Sequence, residues 1–459
     1  MNNDDNRKYS EAEISQILKE TLGKTFGEIN QYEIATFNKG TFGHIYETDV
    51  YGYNMNSYSE PDFIDAGIEL KVTPYKKNND NTLSAKERLV FNIINYDEEV
   101  KTSFKTSHFW YKNNKVQIIW YLWEPNKEKS DFRITHEKLL NLALSGDLKQ
   151  IEEDWNTIIN KIKDGKAHEI SEADTMYLGA CTKGANSNSL RNQPFSNIKA
   201  KQRAFCFKVS YMTQLVRKYI GRYEDVERFL NNKNISITEF VNDIVNKYKN
   251  KTQTELMKIF NIDSKAKNIR DIIIRRMFNI SGELDKTEEF MKANIVPRTL
   301  RVEENGRIIE SLSFSAFKYK DIINEEWEGS ILKNTFEETK YMFFIFKSDG
   351  KDYIFKGIKL WNMPEMIIEN DLKNVWQKTI DVIKNGNIVK EIDNTGRRIT
   401  NFPGMSENKV CHVRPHGRNS KDTFDLPVPD KLTGATKYTK YAFWLNNSYL
   451  KEVISDCLE

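Results

Sequence analysis

The sequence predicts an α/β (mixed α+β) protein built from two tandem copies of one fold. Three observations carry that prediction. Helix-like and short strand-like runs alternate at uneven intervals through both halves, with no glycine-rich phosphate loop and no βαβ fingerprint. EDWNTIINKIKDGK (153–166) shares its spacing with NVWQKTIDVIKNGN (374–387): Trp155 precedes Gly165 by ten residues, as Trp376 precedes Gly386. AFCFKVSYM (204–212) likewise matches AFWLNNSYL (442–450), and KGANS (183–187) lies between the paired segments as HGRNS (416–420) does in the second half. Ordered matches of this kind indicate duplication of a domain rather than a solenoid. A chain of 459 residues, 39% hydrophobic and 12% aromatic, has room for two such cores.

Taken in chain order, the first ten residues are polar and expected to stay outside the core. KGTFGHIYE (39–47) reads as a short helix with Lys39 at its entrance and Glu47 at its end. PDFIDAGIELKVTP (61–74) follows, and from Ile68 to Val72 apolar and charged residues alternate. Strand side chains alternate faces, so Ile68, Leu70 and Val72 point one way while Glu69 and Lys71 point the other. VQIIWYLW (116–123) and YMFFIF (341–346) are strand-like runs ahead of the two matching helices, whose Trp155 and Trp376 are expected in the core. The polar stretch 245–255 lacks apolar periodicity and is taken as the boundary, giving domains 1–245 and 246–459. In the second half, placing TLRV (299–302) opposite ELKV (69–72) sets Thr299 at Glu69 and Arg301 at Lys71. Counting back sets Lys292 opposite Asp62, so the second copy lacks the acid cluster of the first.

Asp62, Glu69 and Lys71 are the residues that point to chemistry. Glu-x-Lys also occurs at Glu99–Lys101, Glu338–Lys340 and Glu407–Lys409, where a solvated strand face or salt bridge suffices. Here an acid stands seven residues upstream, after a proline, and Glu47 adds another. Phosphodiester hydrolysis needs a nucleophilic water and relief of charge on the phosphoryl and leaving oxygens. Hard carboxylate oxygens such as Asp62 and Glu69 suit Mg²⁺. A lysine beside them can orient or deprotonate the water, or neutralise the transition state, and both roles stay open. The pattern is the outline of a metal-dependent nuclease.

KGTFGHIYE, PDFIDAGIELKVTP and TSHFWYK (106–112) together resemble the MutH family of DNA endonucleases. In that family a lysine and an acid on a helix accompany the Asp, Glu and Lys of the nuclease motif, and a further lysine follows Thr-Ser-His. The resemblance therefore implies roles for Lys39, Glu47, Asp62, Glu69, Lys71 and Lys112, with Asp62, Glu69 and Glu47 toward the metal. CTKGANSNSLRNQPFSNIKAKQRAF (181–205) is similar to the two-domain, GATC-cutting type II restriction enzymes related to MutH. That branch implies two MutH/restriction-endonuclease-like folds, each a mixed central sheet flanked by helices. The first copy would cut at 5′-GATC, and the second would bind another copy of the sequence as an allosteric effector. Mismatch-repair members carry Arg-Pro-Lys where this chain has Cys181-Thr182-Lys183, and their methylation-sensing tyrosine is replaced near Cys206. Arg414 keeps the family's arginine in the second copy.

The net charge is only +3, so DNA affinity must come from local patches. Lys199, Lys201 and Arg203 alternate and are expected to share a phosphate-facing strand face. Lys183, Asn186 and Arg191 are loop candidates for base or phosphate contact, as are Arg414 and His416 in the second half. An ordinary basic surface is the plain alternative for each. Cys411, His412 and His416 lack a second ligand pair at zinc spacing, and His108 reads as structural. Scattered cysteines, no signal peptide and no bilayer-length apolar run lead to the expectation of a soluble cytoplasmic protein. The expected partners are double-stranded DNA at two GATC sites per active complex, with dimerisation or looping, and functionally a cognate DNA methyltransferase. A methyl-directed mismatch-repair nickase and a catalytically inactive DNA-binding regulator are the rival readings.

Overall fold

The computed structural model describes residues 8–30, 40–53, 59–184, 189–221, 226–231, 233–263 and 266–459. The chain divides into two compact units, Met1–Glu239 with Lys286–Asn294, and Phe240–Asp285 with Ile295–Glu459. The stretch 245–255 is not an open linker. A helix, Ile237–Tyr248, runs into it, and Thr252 and Glu255 form the capping box that starts another, Gln253–Ile259. Its polar residues are helix ends and cap ligands, which composition cannot tell from a break. Among the described residues no helix is long and apolar enough to cross a membrane.

In the first unit, α1 (Glu11–Thr21) begins at Ser10, capped reciprocally with Glu13, and buries Ile14 and Leu18 one turn apart. The short helix α2 (Thr41–Ile45) continues into a wider π turn, Tyr46–Val50, which carries Glu47. Next come β1 (Glu69–Lys77), β2 (Leu83–Ala85), β3 (Leu89–Ile93), α3 (His108–Asn113), β4 (Lys115–Leu122) and β5 (Arg133–Asn141). These are followed by α4 (Leu148–Lys163), β6 (Leu178–Thr182), β7 (Leu190–Gln193), β8 (Ser196–Lys201), β9 (Arg203–Phe207) and α5 (Val209–Tyr219). The main sheet runs β2–β1–β4–β5, with β1 parallel to β4 and the other pairs antiparallel. A second sheet runs β3–β9–β6, and β7 pairs β8 as a hairpin.

The sequence pattern explains these places. β4 is buried from Val116 through Tyr121, as a central strand covered on both faces requires. β1 sends Ile68 and Leu70, with Val72 behind them, into a cluster with Phe26, Phe42, Ile119 and Tyr121. Glu69 and Lys71 are thereby left on the opposite face. α4 buries Ile151, Trp155, Ile158, Ile159 and Ile162 along one stripe.

The second unit repeats the connectivity. Its elements are β10 (Ile295–Val302), β11 (Leu312–Ser313), α6 (Ile331–Glu338), β12 (Lys340–Ser348), β13 (Tyr353–Trp361) and α7 (Lys373–Lys384). After a hairpin of β14 (Val389–Ile392) and β15 (Arg398–Thr400) come β16 (Cys411–Pro415), β17 (Thr423–Asp425), β18 (Lys437–Thr439), β19 (Tyr441–Leu445) and α8 (Asn447–Val453). β10 is parallel to β12 and β12 antiparallel to β13, as in β1–β4–β5. The sheet β11–β19–β16 matches β3–β9–β6.

The strand register corrects the alignment of the two copies. β4 bulges between Trp120 and Tyr121, and β12 bulges between Ile345 and Phe346, which matches Lys115 to Lys340. Glu69 pairs with Val116 and Val296 with Tyr341, so Val296 stands at the place of Glu69 and Arg298 at that of Lys71. Thr299 and Arg301 lie on the other face of β10, because the slip is three residues and side chains alternate. Lys292 is no counterpart of Asp62 either. It lies on a helix, Glu288–Ala293, assigned to the first unit, where it is buried against Asp147 (2.8 Å) and Glu288 (2.6 Å).

The repeated glycines have a physical cause. Gly165 and Gly386 follow α4 and α7 with φ of +70° and +59°. A Cβ would stand 2.5 Å from Phe195 O at Gly165 and 2.7 Å from Pro429 O at Gly386. Each glycine ends a helix in the left-handed region and lets a neighbouring backbone close upon it. Gly165→Ala and Gly386→Ala should each lower unfolding stability by about 2–4 kcal/mol, combining left-handed strain with the clash. Denaturant midpoints measure this, and a loss below about 0.5 kcal/mol would contradict the close approach.

Candidate active site

The site is built on the polar face of β1. Glu69 opens the strand and is 2% exposed, an unusual position for a carboxylate. Lys71, two residues on and on the same face, places Nζ 2.6 Å from Glu69 Oε1. Ser107 caps α3 by accepting the amide of Trp110 (3.1 Å), and the helix so fixed presents Lys112, whose Nζ stands 3.7 Å from Glu69 Oε2. Asp62 turns back onto the strand, its Oδ2 accepting the amide of Leu70 at 2.8 Å. Glu47 reaches the same group from the π turn, within electrostatic range of Asp62, Lys71, Glu69 and Lys112. Five of the six expected catalytic residues therefore converge, while Lys39 lies outside the described residues.

Burial sets the electrostatics. It pushes the Glu47 carboxyl up to about 7, with the charges of Asp62 and Glu69 adding to the rise against Lys71 and Lys112. It pushes Asp62 up to about 6, reinforced by Glu69 and opposed by Lys71 and the Leu70 amide. Burial alone would lower the Lys71 ammonium, but Glu69, Asp62 and Glu47 outweigh it and hold the group above its usual value. The lysine therefore stays charged.

Glu69 Oε2 is buried and accepts no hydrogen bond. A hard oxygen left so, with Asp62 beside it, fits a hard dication that keeps most of its waters. The expected trio of Glu47, Asp62 and Glu69 is not gathered as a ready ligand set. Among the described residues no three His, Cys, Asp or Glu side chains stand close enough to hold an ion by themselves. Glu69 is engaged instead by two ammonium groups, Lys71 at 2.6 Å and Lys112 at 3.7 Å.

The DNA-contact candidates divide. Lys199 is exposed and Lys201 half-buried on β8, paired with β7, where Arg191 is also half-buried. Arg203 does not share their face. It is 4% exposed at the start of β9, and its guanidinium donates to Ala180 O at 2.8 Å. The alternation stops because Gln202 separates two strands that belong to different sheets. Lys183 is exposed just past β6, its backbone amide bonded to Gln202 O at 2.7 Å, and Asn186 lies outside the described residues.

In the second unit, Arg414 and His416 are exposed at the end of β16. The Arg414 guanidinium lies 3.9 Å from the Trp444 ring centre, and the His416 ring lies tilted against the same ring at 5.6 Å. Cys181 pairs with Ala204 and Arg414 with Ala442, so the register sets Cys181 at the place of Arg414 and Lys183 at that of His416. His412 bonds Asn446 (2.6 Å) and Cys411 is buried. His108 is structural, bonded to Ser59 O (2.8 Å) and Asn92 (3.3 Å). Sequence reasoning missed Trp444 and Arg298. The AFC–AFW match, which places Trp444 at Cys206, was the available signal for the first.

Comparison with known proteins bears on this geometry. The family model for the DNA mismatch repair enzyme MutH matches residues 51–154. The type II restriction enzyme Sau3AI of Staphylococcus aureus is 37% identical over 96% of this chain and 97% of its own length. The DNA mismatch repair protein MutH of Actinobacillus pleuropneumoniae serotype 3 (strain JL03) is 24% identical over 46% of this chain and 95% of its own. Among solved structures, the restriction endonuclease MvaI–cognate DNA substrate complex is 11% identical, covering 45% of this chain and 96% of that one, with a TM-score of 0.21. The mismatch-repair protein thus spans less than half of the chain, and the restriction enzyme nearly all of it.

Folding raises the Glu47 pKa from 4.5 to about 7, so the folded chain holds this proton more tightly than the unfolded one. That contribution favours folding at acid pH and is lost as pH rises from 4.5 through about 7. Glu47→Gln should stabilise the chelator-treated chain by about 1–2 kcal/mol at alkaline pH and leave it unchanged at acid pH. Urea midpoints at the two pH values check the sign.

Proposed function

Because the chain belongs to the family of the type II restriction enzyme Sau3AI, and is thus a site-specific deoxyribonuclease with a MutH-like domain, we propose that it hydrolyses both strands of duplex DNA at 5′-GATC with Mg²⁺. The first domain, 1–245, performs the cleavage, and the second, 246–459, binds DNA as an allosteric effector. The observation that carries the reading is the convergence of Asp62, Glu69, Lys71 and Lys112 around a buried carboxylate oxygen that accepts no hydrogen bond.

Asp62 and Glu69, assisted by Glu47, would hold Mg²⁺, which when bound supplies a water of lowered pKa and relief of charge on the phosphoryl oxygens. Lys71 is kept protonated by the acids around it, which favours charge neutralisation at the phosphate over acceptance of a proton from water. Lys112 adds a second cation at the other carboxylate oxygen of Glu69, held by its capped helix. The burial of Glu69 and the partial burial of Lys71 limit water around the reacting phosphate and so strengthen each of these interactions. Lys39 completes the family's set. Lys183, Arg191, Lys199 and Lys201 supply phosphate and base contacts. Arg203, tied inside to Ala180, supports the strand that positions them.

The second unit bears Val296 at the place of Glu69, which removes the metal-binding acid while leaving the sheet intact. It keeps Arg414 braced on Trp444 beside His416, which supports DNA contact by that unit. Two DNA sites per active complex, looping between them and a cognate methyltransferase that protects the host belong to the same reading.

Supercoiled plasmid tests it. With Mg²⁺ and no helper protein the chain should give linear product, and plasmids with two GATC sites should be cut several-fold faster than those with one. Glu69→Ala should lower cleavage by at least about a thousandfold while duplex binding persists. Open circles that persist on hemimethylated DNA would instead indicate a repair nickase, and intact plasmid would indicate a regulator.

A further inference from the structure

The register also shows what stands in the second unit at the places of Glu69 and Lys71. Val296 stands where Glu69 does and Arg298 where Lys71 does. Lys112 is five residues past its helix cap, Ser107, and Thr335 is five past the equivalent cap, Ser330. Val296, Arg298 and Thr335 all line one cavity of about 460 Å³ in the second unit. That cavity is the counterpart of the nuclease cluster. Its walls include Phe314, Phe317 and Phe443, with Lys318 also on the lining.

Its charges have changed in a definite way. The position of the buried acid is now carbon, but the position of Lys71 keeps a cation. Arg298 is exposed, donates only to the carbonyl of its neighbour Pro297 (2.9 Å), and has no carboxylate partner among the described residues. Arg301 differs, since its guanidinium is bound to Glu310. Two acids also line the cavity, and both are engaged. Asp321 faces Lys318 at 3.7 Å, and Glu325 accepts the amide of Ile331 (3.3 Å) at the start of α6. Arg298 is left as the cation available to an anion from outside.

We propose that this cavity seats one sugar–phosphate step of a bound DNA duplex, with the phosphate on Arg298 and the deoxyribose against Val296 and the phenylalanines, and without a metal ion. Duplex DNA is the occupant that fits a guanidinium beside carbon walls in the place where the first unit addresses a phosphodiester. With Val296 in place of Glu69, the cavity lacks the buried carboxylate of the first unit, and its lining acids Asp321 and Glu325 are turned to Lys318 and the Ile331 amide, so the strand is gripped and left intact. The inference rests on the reading of the second unit as an effector that binds DNA.

The test uses the full chain carrying Glu69→Ala, titrated with a GATC duplex in Mg²⁺ and again in chelator. Two duplexes per chain are expected in Mg²⁺. In both buffers Arg298→Ala should weaken one site about tenfold, the scale of one charge-assisted contact, and reduce its salt slope by about one. Arg298→Lys should retain most of the affinity, and Arg301→Ala should change neither quantity. In the otherwise native chain, Arg298→Ala should remove the acceleration of two-site over one-site plasmid cleavage, and Arg301→Ala, whose guanidinium is tied to Glu310, should leave it in place. Two sites with unaltered affinity in Arg298→Ala would overturn the inference and leave the effector reading standing. Loss of the Arg298-dependent site in chelator would overturn its metal independence, and one duplex per chain throughout would overturn both readings.

Discussion

The first unit is organised around one costly requirement: a carboxylate, Glu69, held almost wholly out of water at the start of an inner strand. A charge in that position is tolerated only with cations at hand. Lys71 meets the requirement from the same strand, and Lys112 from a helix fixed by the Ser107 cap. The parallel pairing of β1 with β4 sets the depth of Glu69, while the Leu70 amide draws Asp62 onto the same strand. Remove the need to compensate that carboxylate and little explains why a strand lysine and a helix lysine are both brought to it.

The second unit shows the same scaffold without that requirement. Its sheet keeps the order, the parallel pair and even the bulge of the first, because these depend on carbon packing along β12 and on backbone pairing. The acid at the critical place has become Val296, half-buried against the core. Fold and chemistry are therefore separable here, residue by residue. The glycines after α4 and α7 make the same point, since both copies retain them for a backbone approach that has nothing to do with cleavage.

Much of this was legible in the sequence, for physical reasons. The alternation of Ile68 to Val72 encodes a two-faced strand directly, and it puts Glu69 and Lys71 together. The Trp155–Gly165 and Trp376–Gly386 spacings mark a buried stripe and a left-handed helix end, both local properties. Harder to read was anything set by pairing across the sheet. TLRV looks like ELKV in composition, yet the register of β10 with β12 places Arg298, not Arg301, at the position of Lys71. Arg203 continues an alternating run of cations, but the run crosses from one sheet to another and its side chain turns inward. The polar stretch 245–255 carries helix caps, whose residue types are those of a loop.

Duplication here divides two demands that conflict within a single copy. A catalytic half has to keep acids crowded and dehydrated, which works against its own cohesion. On the proposed reading, a half that exchanges its innermost acid for a hydrocarbon keeps a grip on nucleic acid without that internal repulsion. Mutational drift at the old reaction centre then ceases to be merely decay, because each lost carboxylate leaves the remaining guanidinium a less contested neighbour for a polyanion.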